Sequence, residues 1–432
     1  MDFADLARLA EPSVITNPYP LLAELREASP FGVFDGALLV FGRYEDCSRI
    51  LRDARASSER ERSLLVERGA GARQRPPSFL SLDPPDHTRL RRLVSKAFTP
   101  RVVARLSPRI EQVTNELIDV VRAAGGREFE LVGRLAHPLP VRIISELLGV
   151  PPGDYATFAD WSAKLAHSVQ PQFVAADSAE TLAQAEQAGL EFAEYFTSLI
   201  AARRSSPGDD LLTLLIRAEE SGDRLSTEEL ISTCVLLLVA GHETTVGLIS
   251  NAMLALLRHP DELAVLAADQ DLAGSAVEET LRYDPPVQLT GRVARGGLTL
   301  DGIEPPDGTV LLLLLAATGR DPAVFDSPDL FDVRRGAREG RTAREHLAFA
   351  AGPHFCLGAP LARLEATIAL RTIAARMAGL ELIDESLVYK PNLSLRGPER
   401  MVIGFDAIAE NAPKALSGAS LRHRRWSLYN FL

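Results

Sequence analysis

Apolar residues recur at three- and four-residue spacing, opposite small or charged ones, over 85–122, 138–149, 180–203, 226–258, 261–283 and 359–378. That period gathers them on one face of an α-helix, so these segments are expected to be helical and to dominate the chain. Strand signals are fewer. In GVFDGALLVFG, Asp35-Gly36 separates two β-prone runs, the strongest short-range hairpin signal. Further short strands are expected at 297–303, 309–315 and 393–405. No repeat, low-complexity linker or clear cut divides the chain, so the expected class is mainly α with small β-sheets (α+β). Two irregular stretches, 58–81 and 166–180, read as loops between helices, either lids or plain connections. From Ala409 onward, small polar residues precede a basic-aromatic cluster at His423–Trp426, and a flexible tail is expected.

With 46% hydrophobic and 24% charged residues, the chain can build a sizeable core. The net charge of -11 disfavours nucleic acid and anionic membrane as partners, because both repel such a surface at long range. The apolar runs Val235–Gly241 and Val310–Ala317 are far shorter than the roughly 20 residues needed to cross a bilayer. The N-terminus carries acids early and lacks the basic start and apolar run of a signal peptide. Cys47, Cys234 and Cys356 are odd in number and widely spaced, which argues against a disulfide framework or a cysteine-rich zinc site. A cytoplasmic location is expected.

The densest chemical signal is FAAGPHFCLGAP at 349–360. Taken by itself, Cys356 reads more readily as a buried, inert thiol than as a ligand. Its neighbours change that reading. Gly352 and Gly358 would let the backbone fold tightly around the sulfur and a flat cofactor approach closely. A helix starting near Ala359-Pro360 would aim its first amides at the sulfur and stabilise a thiolate, a good axial ligand for haem iron.

The pattern Phe349, Gly352, His354, Cys356, Gly358 resembles the cysteine-ligand loop of the cytochrome P450 haem-thiolate monooxygenases. The resemblance covers residues 10 to about 405 and implies that family's fold. Haem b would lie between a long central helix and the helix after the cysteine, in a single domain at 1–408, with 409–432 as the tail. It also implies that Cys356 ligates the iron. Ala240-Gly241-His242-Glu243-Thr244-Thr245, inside the proline-free segment 227–257, matches the stretch that crosses above the haem, with Ala240 and Gly241 beside the cofactor. Glu243 and Thr244 match the acid-alcohol pair that helps deliver protons for oxygen activation. A carboxyl exchanges protons with solvent and a hydroxyl both donates and accepts, so the pair suits that task. Glu279 and Arg282 match the family's E-x-x-R pair, which Arg335 would join in a structural role. His87, Arg91, Arg292 and His354 match partners of the haem propionates, with Arg89, Arg92 and Arg295 as close substitutes. Gly319 stands where the family usually has Asn.

The resemblance implies a monooxygenase that inserts one atom of O2 into a lipophilic small molecule, by hydroxylation or epoxidation, in natural-product tailoring. Leu236, Val239, Val287, Leu289 and Thr290 would touch the substrate. No dinucleotide fingerprint and too few cysteines for an iron–sulfur cluster are present, so electrons are expected from a ferredoxin and an NAD(P)H-linked ferredoxin reductase. Arginines 334, 335, 338, 341 and 344, with Arg92 and Lys96, form a candidate basic patch for it. The competing readings are a peroxide-driven or non-oxygenating haem-thiolate enzyme, a non-catalytic partner protein of the same fold, and a cysteine hydrolase using Cys356 and His354.

Overall fold

The computed structural model describes residues 1–65, 78–96, 98–166, 179–220, 225–300, 302–336 and 345–410. Its axis is a 32-residue helix, Thr227–Arg258, opened by a reciprocal cap in which Glu229 N–H donates to Ser226 Oγ and Ser226 N–H to Glu229 Oε2. It ends just before Pro260, which starts the next helix. By length and composition this helix could cross a membrane, so the brevity of Val235–Gly241 was a poor guide. Its position decides the matter: 56% of its most apolar window is buried, against helices Pro138–Leu147, Ala179–Ser205, Ala273–Tyr283 and Ala359–Arg376. It is the core helix of the largest hydrophobic cluster.

Two expected helices are broken. The stretch 85–122 forms Asp86–Ser95, Pro100–Ala104 and Ser107–Ala124, because Thr99 caps the second piece and Pro100 and Pro108 sit in first turns, where an N–H is not needed. The stretch 261–283 breaks at Asp269, whose side chain accepts the Asp271 N–H and leaves helices Pro260–Ala268 and Ala273–Tyr283.

The hairpin forms as expected: Phe31–Val33 pairs antiparallel with Leu38–Phe41, around a turn with Phe34, Asp35 and Gly36 at positive φ. Leu38–Phe41 also pairs parallel with Val310–Leu313, which pairs antiparallel with Thr290–Ala294, and Ala56–Ser57 closes the five-stranded sheet. Both faces are covered. Leu38, Val40 and Leu312 join the N-terminal core with Leu22 and Leu25, while Leu39, Phe41 and Leu311 join a core with Cys47 and Ile50. The expected strand at 297–303 is only a bridge between Leu300 and Ile303. At 393–405 only Val402–Gly404 is a strand, because Asn392 Oδ1 accepts the N–H groups of Ser394 and Leu395 and turns the chain first. Of the two irregular stretches, residues 66–77 and 167–178 lie outside the described residues, as do tail residues 411–432. Ala409 is anchored to Arg376, N–H to carbonyl, at 2.8 Å.

Candidate functional site

The cysteine loop is set by backbone. Cys356 N–H donates to the Phe349 carbonyl at 2.9 Å, and Ala350 and Gly352 adopt φ of 57° and 68°. A Cβ on Gly352 would stand 2.4 Å from the Leu51 carbonyl. This glycine therefore lets the loop touch the end of helix Tyr44–Arg52. A Cβ on Gly358 would lie 3.9 Å from Cys356 Sγ, so its absence leaves open space beside the sulfur. Burial pushes the Cys356 thiol up. The backbone N–H groups of Gly358 and Ala359, at the start of helix Ala359–Arg376, pull the other way, with Arg91 and Arg363.

On the central helix, Leu236, Ala240 and Thr244 share one face at four-residue spacing. Ala240 is exposed and Leu236, Val239 and Thr244 are half-buried, on a helix otherwise buried at this level. Gly241 also packs against a neighbouring helix. A Cβ there would come within 3.1 Å of Ile144 Cγ1, so it permits close packing on helix Pro138–Leu147. Thr244 Oγ1 donates to the Ala240 carbonyl at 2.8 Å. Glu243 is buried and its carboxylate is engaged elsewhere: Lys390 Nζ donates at 2.6 Å, and His242 Nε2 lies 3.4 Å away. Burial would raise the Glu243 pKa, but His242 and Lys390 outweigh it and hold the group well below the usual carboxylate range. The acid and the alcohol are thus neighbours in sequence, each bonded to a different partner. His137 completes the polar cluster, its ring 5.8 Å from that of His242. Nothing in the sequence marks Lys390 or His137 as members of this site.

The five expected substrate contacts are not all together. Val287 is half-buried against the core of Leu39 and Phe41 and bridges to Leu395, and Thr290 opens a strand. Leu289 packs in the N-terminal core and lines a cavity of about 30 Å³ with Leu22, Leu314 and Leu393, whose lining includes neither Leu236 nor Val239.

The candidate anion partners do converge. His87 is 2% exposed, lies tilted against His354 with ring centroids 4.1 Å apart, and leaves both ring nitrogens without a hydrogen-bond partner. Arg91 donates to the Phe355 carbonyl. Arg292 is buried, and burial with the nearby Arg60 lowers its pKa to about 10. His354 is lowered to about 3 by burial, then by Arg292 and His87. The nearest carboxylate, Asp83, is already taken by Ser57 Oγ at 2.5 Å, Ser58 N–H at 2.9 Å and Arg295 at 3.4 Å. A buried His87 with orphaned nitrogens and a buried Arg292, beside half-buried Arg91 and His354, call for an anion, and two propionates beside a cysteine sulfur would meet that demand. The residues fit haem. Of the substitutes, Arg89 pairs with Glu229 and Arg295 with Asp83, which leaves Arg292 as the better-placed cation.

Glu279, Arg282 and Arg335 form one buried ion cluster. Arg282 grips Glu279 with two bonds of 2.8 and 2.9 Å, and Arg335 Nε reaches both carboxylate oxygens at 3.1 Å. Gly319 has a physical reason here, since any Cβ would fall 2.0 Å from the Arg282 carbonyl. Arg335, 1% exposed, cannot belong to a surface patch, and that expectation is corrected. Arg92, Lys96 and Arg334 are exposed, while 338, 341 and 344 lie outside the described residues.

Comparison with known proteins gives a consistent result. The family described as Cytochrome P450 matches residues 35–376. Cytochrome P450 107B1 of Saccharopolyspora erythraea is 43% identical over 373 residues, covering 84% of this chain and 87% of that protein. Cytochrome P450 monooxygenase PikC of Streptomyces venezuelae is 42% identical over 410 residues, covering 92% and 93%. The ligand-free crystal structure of Mycobacterium smegmatis CYP164A2 is similar with a TM-score of 0.86 at 45% identity, covering 93% of this chain and 100% of that one.

Proposed function

Because the chain belongs to the cytochrome P450 family, and is therefore an oxidoreductase that carries haem b, we propose that it is a monooxygenase acting on a lipophilic small molecule, with Cys356 as the axial ligand. The observation that carries this reading is the convergence at one place of a sulfur at the start of a helix, a buried Arg292 and a buried His87 whose ring nitrogens have no hydrogen-bond partner.

Haem, when bound to a thiolate, supplies activation of dioxygen with two electrons and two protons, and the thiolate's electron density favours O–O cleavage. The chain's own work is to hold, shield and protonate. Arg91 and Arg292 would neutralise the propionates, and His87 and His354 would donate hydrogen bonds to them. Leu236, Val239 and Ala240 offer an apolar wall to the substrate and exclude water. Thr244 keeps its hydroxyl fixed by donating to Ala240, leaving its oxygen free to accept a further proton donor. Glu243 is held ionised by Lys390, whose side chain is one-third exposed, so protons from solvent reach the acid from the Lys390 side. To pass a proton to Thr244, the Glu243 carboxylate must turn away from Lys390.

The substrate class rests on the apolar lining and on similarity to a named monooxygenase such as PikC: a medium or large natural-product intermediate, hydroxylated or epoxidised in the cytoplasm. Electrons come from a ferredoxin and its NAD(P)H-linked reductase, with Arg92, Lys96 and Arg334 as described members of the docking patch. The test is turnover under ¹⁸O2 with a ferredoxin and its reductase on a panel of macrolactones and fatty acyl compounds. Incorporation of one labelled oxygen per product supports the proposal; reductant consumed with no labelled product from any compound that binds and perturbs the haem spectrum contradicts it.

A further inference from the structure

Glu278 and Glu279 are adjacent on helix Ala273–Tyr283 but serve different partners. The Glu278 carboxylate receives Arg363 in two bonds, Nε to Oε1 at 2.6 Å and Nη2 to Oε2 at 3.1 Å, and His346 Nε2 at 3.2 Å. The His346 tautomer is set by its other nitrogen, because Nδ1 accepts the Ala348 N–H at 3.3 Å and the proton therefore sits on Nε2. This is not a surface ion pair: the side chains of His346, Glu278 and Arg363 are 1%, 13% and 30% exposed.

Three segments meet here, and they close on one ring. The Arg363 guanidinium lies 4.5 Å from the centroid of Phe349, and the His346 ring is 6.0 Å from it. Phe349 in turn offers its carbonyl to the Cys356 N–H. The Arg363 charge is also felt at the sulfur itself. Burial works against the Glu278 carboxylate, yet the bonds from His346 and Arg363 prevail and lower its pKa to about 2, so Glu278 is ionised against the Arg363 cation.

We propose that Glu278, Arg363 and His346 are positioning residues that clamp Phe349 under the cysteine loop and balance the charge felt by the Cys356 sulfur, and so set the reduction potential of the bound haem. The proposal rests on Cys356 being the iron ligand. The balance requires two shifts of opposite sign. Glu278→Gln leaves the Arg363 cation unneutralised, favours the more negatively charged reduced state and raises the potential. Arg363→Leu leaves the Glu278 carboxylate unneutralised and lowers it. Arg363→Lys keeps the charge while losing the forked bond.

The experiment is equilibrium redox titration of the substrate-free holoenzyme, preceded by the visible spectrum of the reduced, carbon monoxide-bound form. Shifts of about tenfold in the one-electron equilibrium, ~59 mV per tenfold, are expected, upward for Glu278→Gln and downward for Arg363→Leu, with Arg363→Lys within about threefold of wild type. Shifts of the same sign, or below about twofold in both, overturn the proposal, since a purely structural role gives no such opposition. Should Arg363→Leu fail to fold or bind haem, the other two variants decide: Glu278→Gln must shift upward and Arg363→Lys must not, and any other result overturns the proposal. A wild-type carbon monoxide spectrum without a thiolate signature is seen before any titration and overturns the ligand assignment itself.

Discussion

Replacing Glu279 by Gln keeps the side chain's shape and removes the charge between two buried guanidiniums. Glu279 and Arg282 are 1% and 0% exposed at their side chains, and Arg335 is 2%. In the wild type the carboxylate accepts the two bonds from Arg282, those from Arg335 Nε and the Asp332 N–H at 3.0 Å. The guanidiniums are not orphaned by the change. Arg282 retains the carbonyls of Gly319, Pro328 and Leu330 at 2.7–2.9 Å, and Arg335 retains that of Asp326 at 2.7 Å. The loss is the charge that offsets them, and breaking a buried pair by removing one partner costs about 3–5 kcal/mol. With an unfolding entropy of about 0.9 kcal/mol/K for a chain of this length, the thermal midpoint falls by about 3–6 °C. Thermal melts of the holoprotein followed by circular dichroism measure this. Arg282→Lys, which keeps the charge but not the fork, is expected to lose at least half as much. A Glu279→Gln midpoint within about 1 °C of wild type would refute the claim that the Glu279 charge offsets the two buried guanidiniums.

Glu243→Gln removes the group that carries protons and leaves Lys390 without its counter-charge; product formed per reductant consumed is expected to fall at least tenfold, a modest share of what general acid–base groups contribute. Unchanged coupling would place proton delivery elsewhere. Arg292→Leu deprives the propionates of a buried cation, and transfer of haem to an excess of apomyoglobin is expected to be at least about tenfold faster, the scale of one charge-assisted hydrogen bond; an unchanged rate would count against the anion site. Acid sensitivity arises at Glu278. Its folded pKa of about 2 lies below the ordinary 4.5, so the unfolded chain binds a proton that the folded one does not. The stabilisation is complete above about pH 4.5 and is lost as pH falls towards 2, up to roughly 3 kcal/mol. In acid titrations of stability, Glu278→Gln should flatten that part of the curve; a curve superimposable on wild type contradicts the reading.

Legibility in the sequence depended on whether the signal was local. Helical periodicity and the Asp35-Gly36 turn are short-range, and the central helix, the cysteine helix and the hairpin follow from them. The breaks at Thr99-Pro100 and Asp269 were also local, but an apolar period running across them masked the capping chemistry. The loop at 349–358 was readable because five constrained positions fall within ten residues. Partners that arrive from a distance were not readable: Lys390 reaches Glu243 across 147 residues, and Arg363 reaches Glu278 across 85. Nothing near either acid marks it as taken. Glycines showed the same limit in another form. Gly241 and Gly352 each signalled a close approach, but the sequence could not say that the neighbours were Ile144 and Leu51. Arg335 fits both a surface charge and a buried partner in the sequence, and only burial separates the two.

The central claim is that Cys356 binds haem iron through its sulfur, and the visible spectrum of the reduced protein with carbon monoxide, compared with that of Cys356→Ser, tests it most directly. A strongly red-shifted Soret band in wild type, lost in a folded Cys356→Ser protein, is the predicted result. A haem-loaded wild type without that band, or a variant that keeps it, would contradict the account.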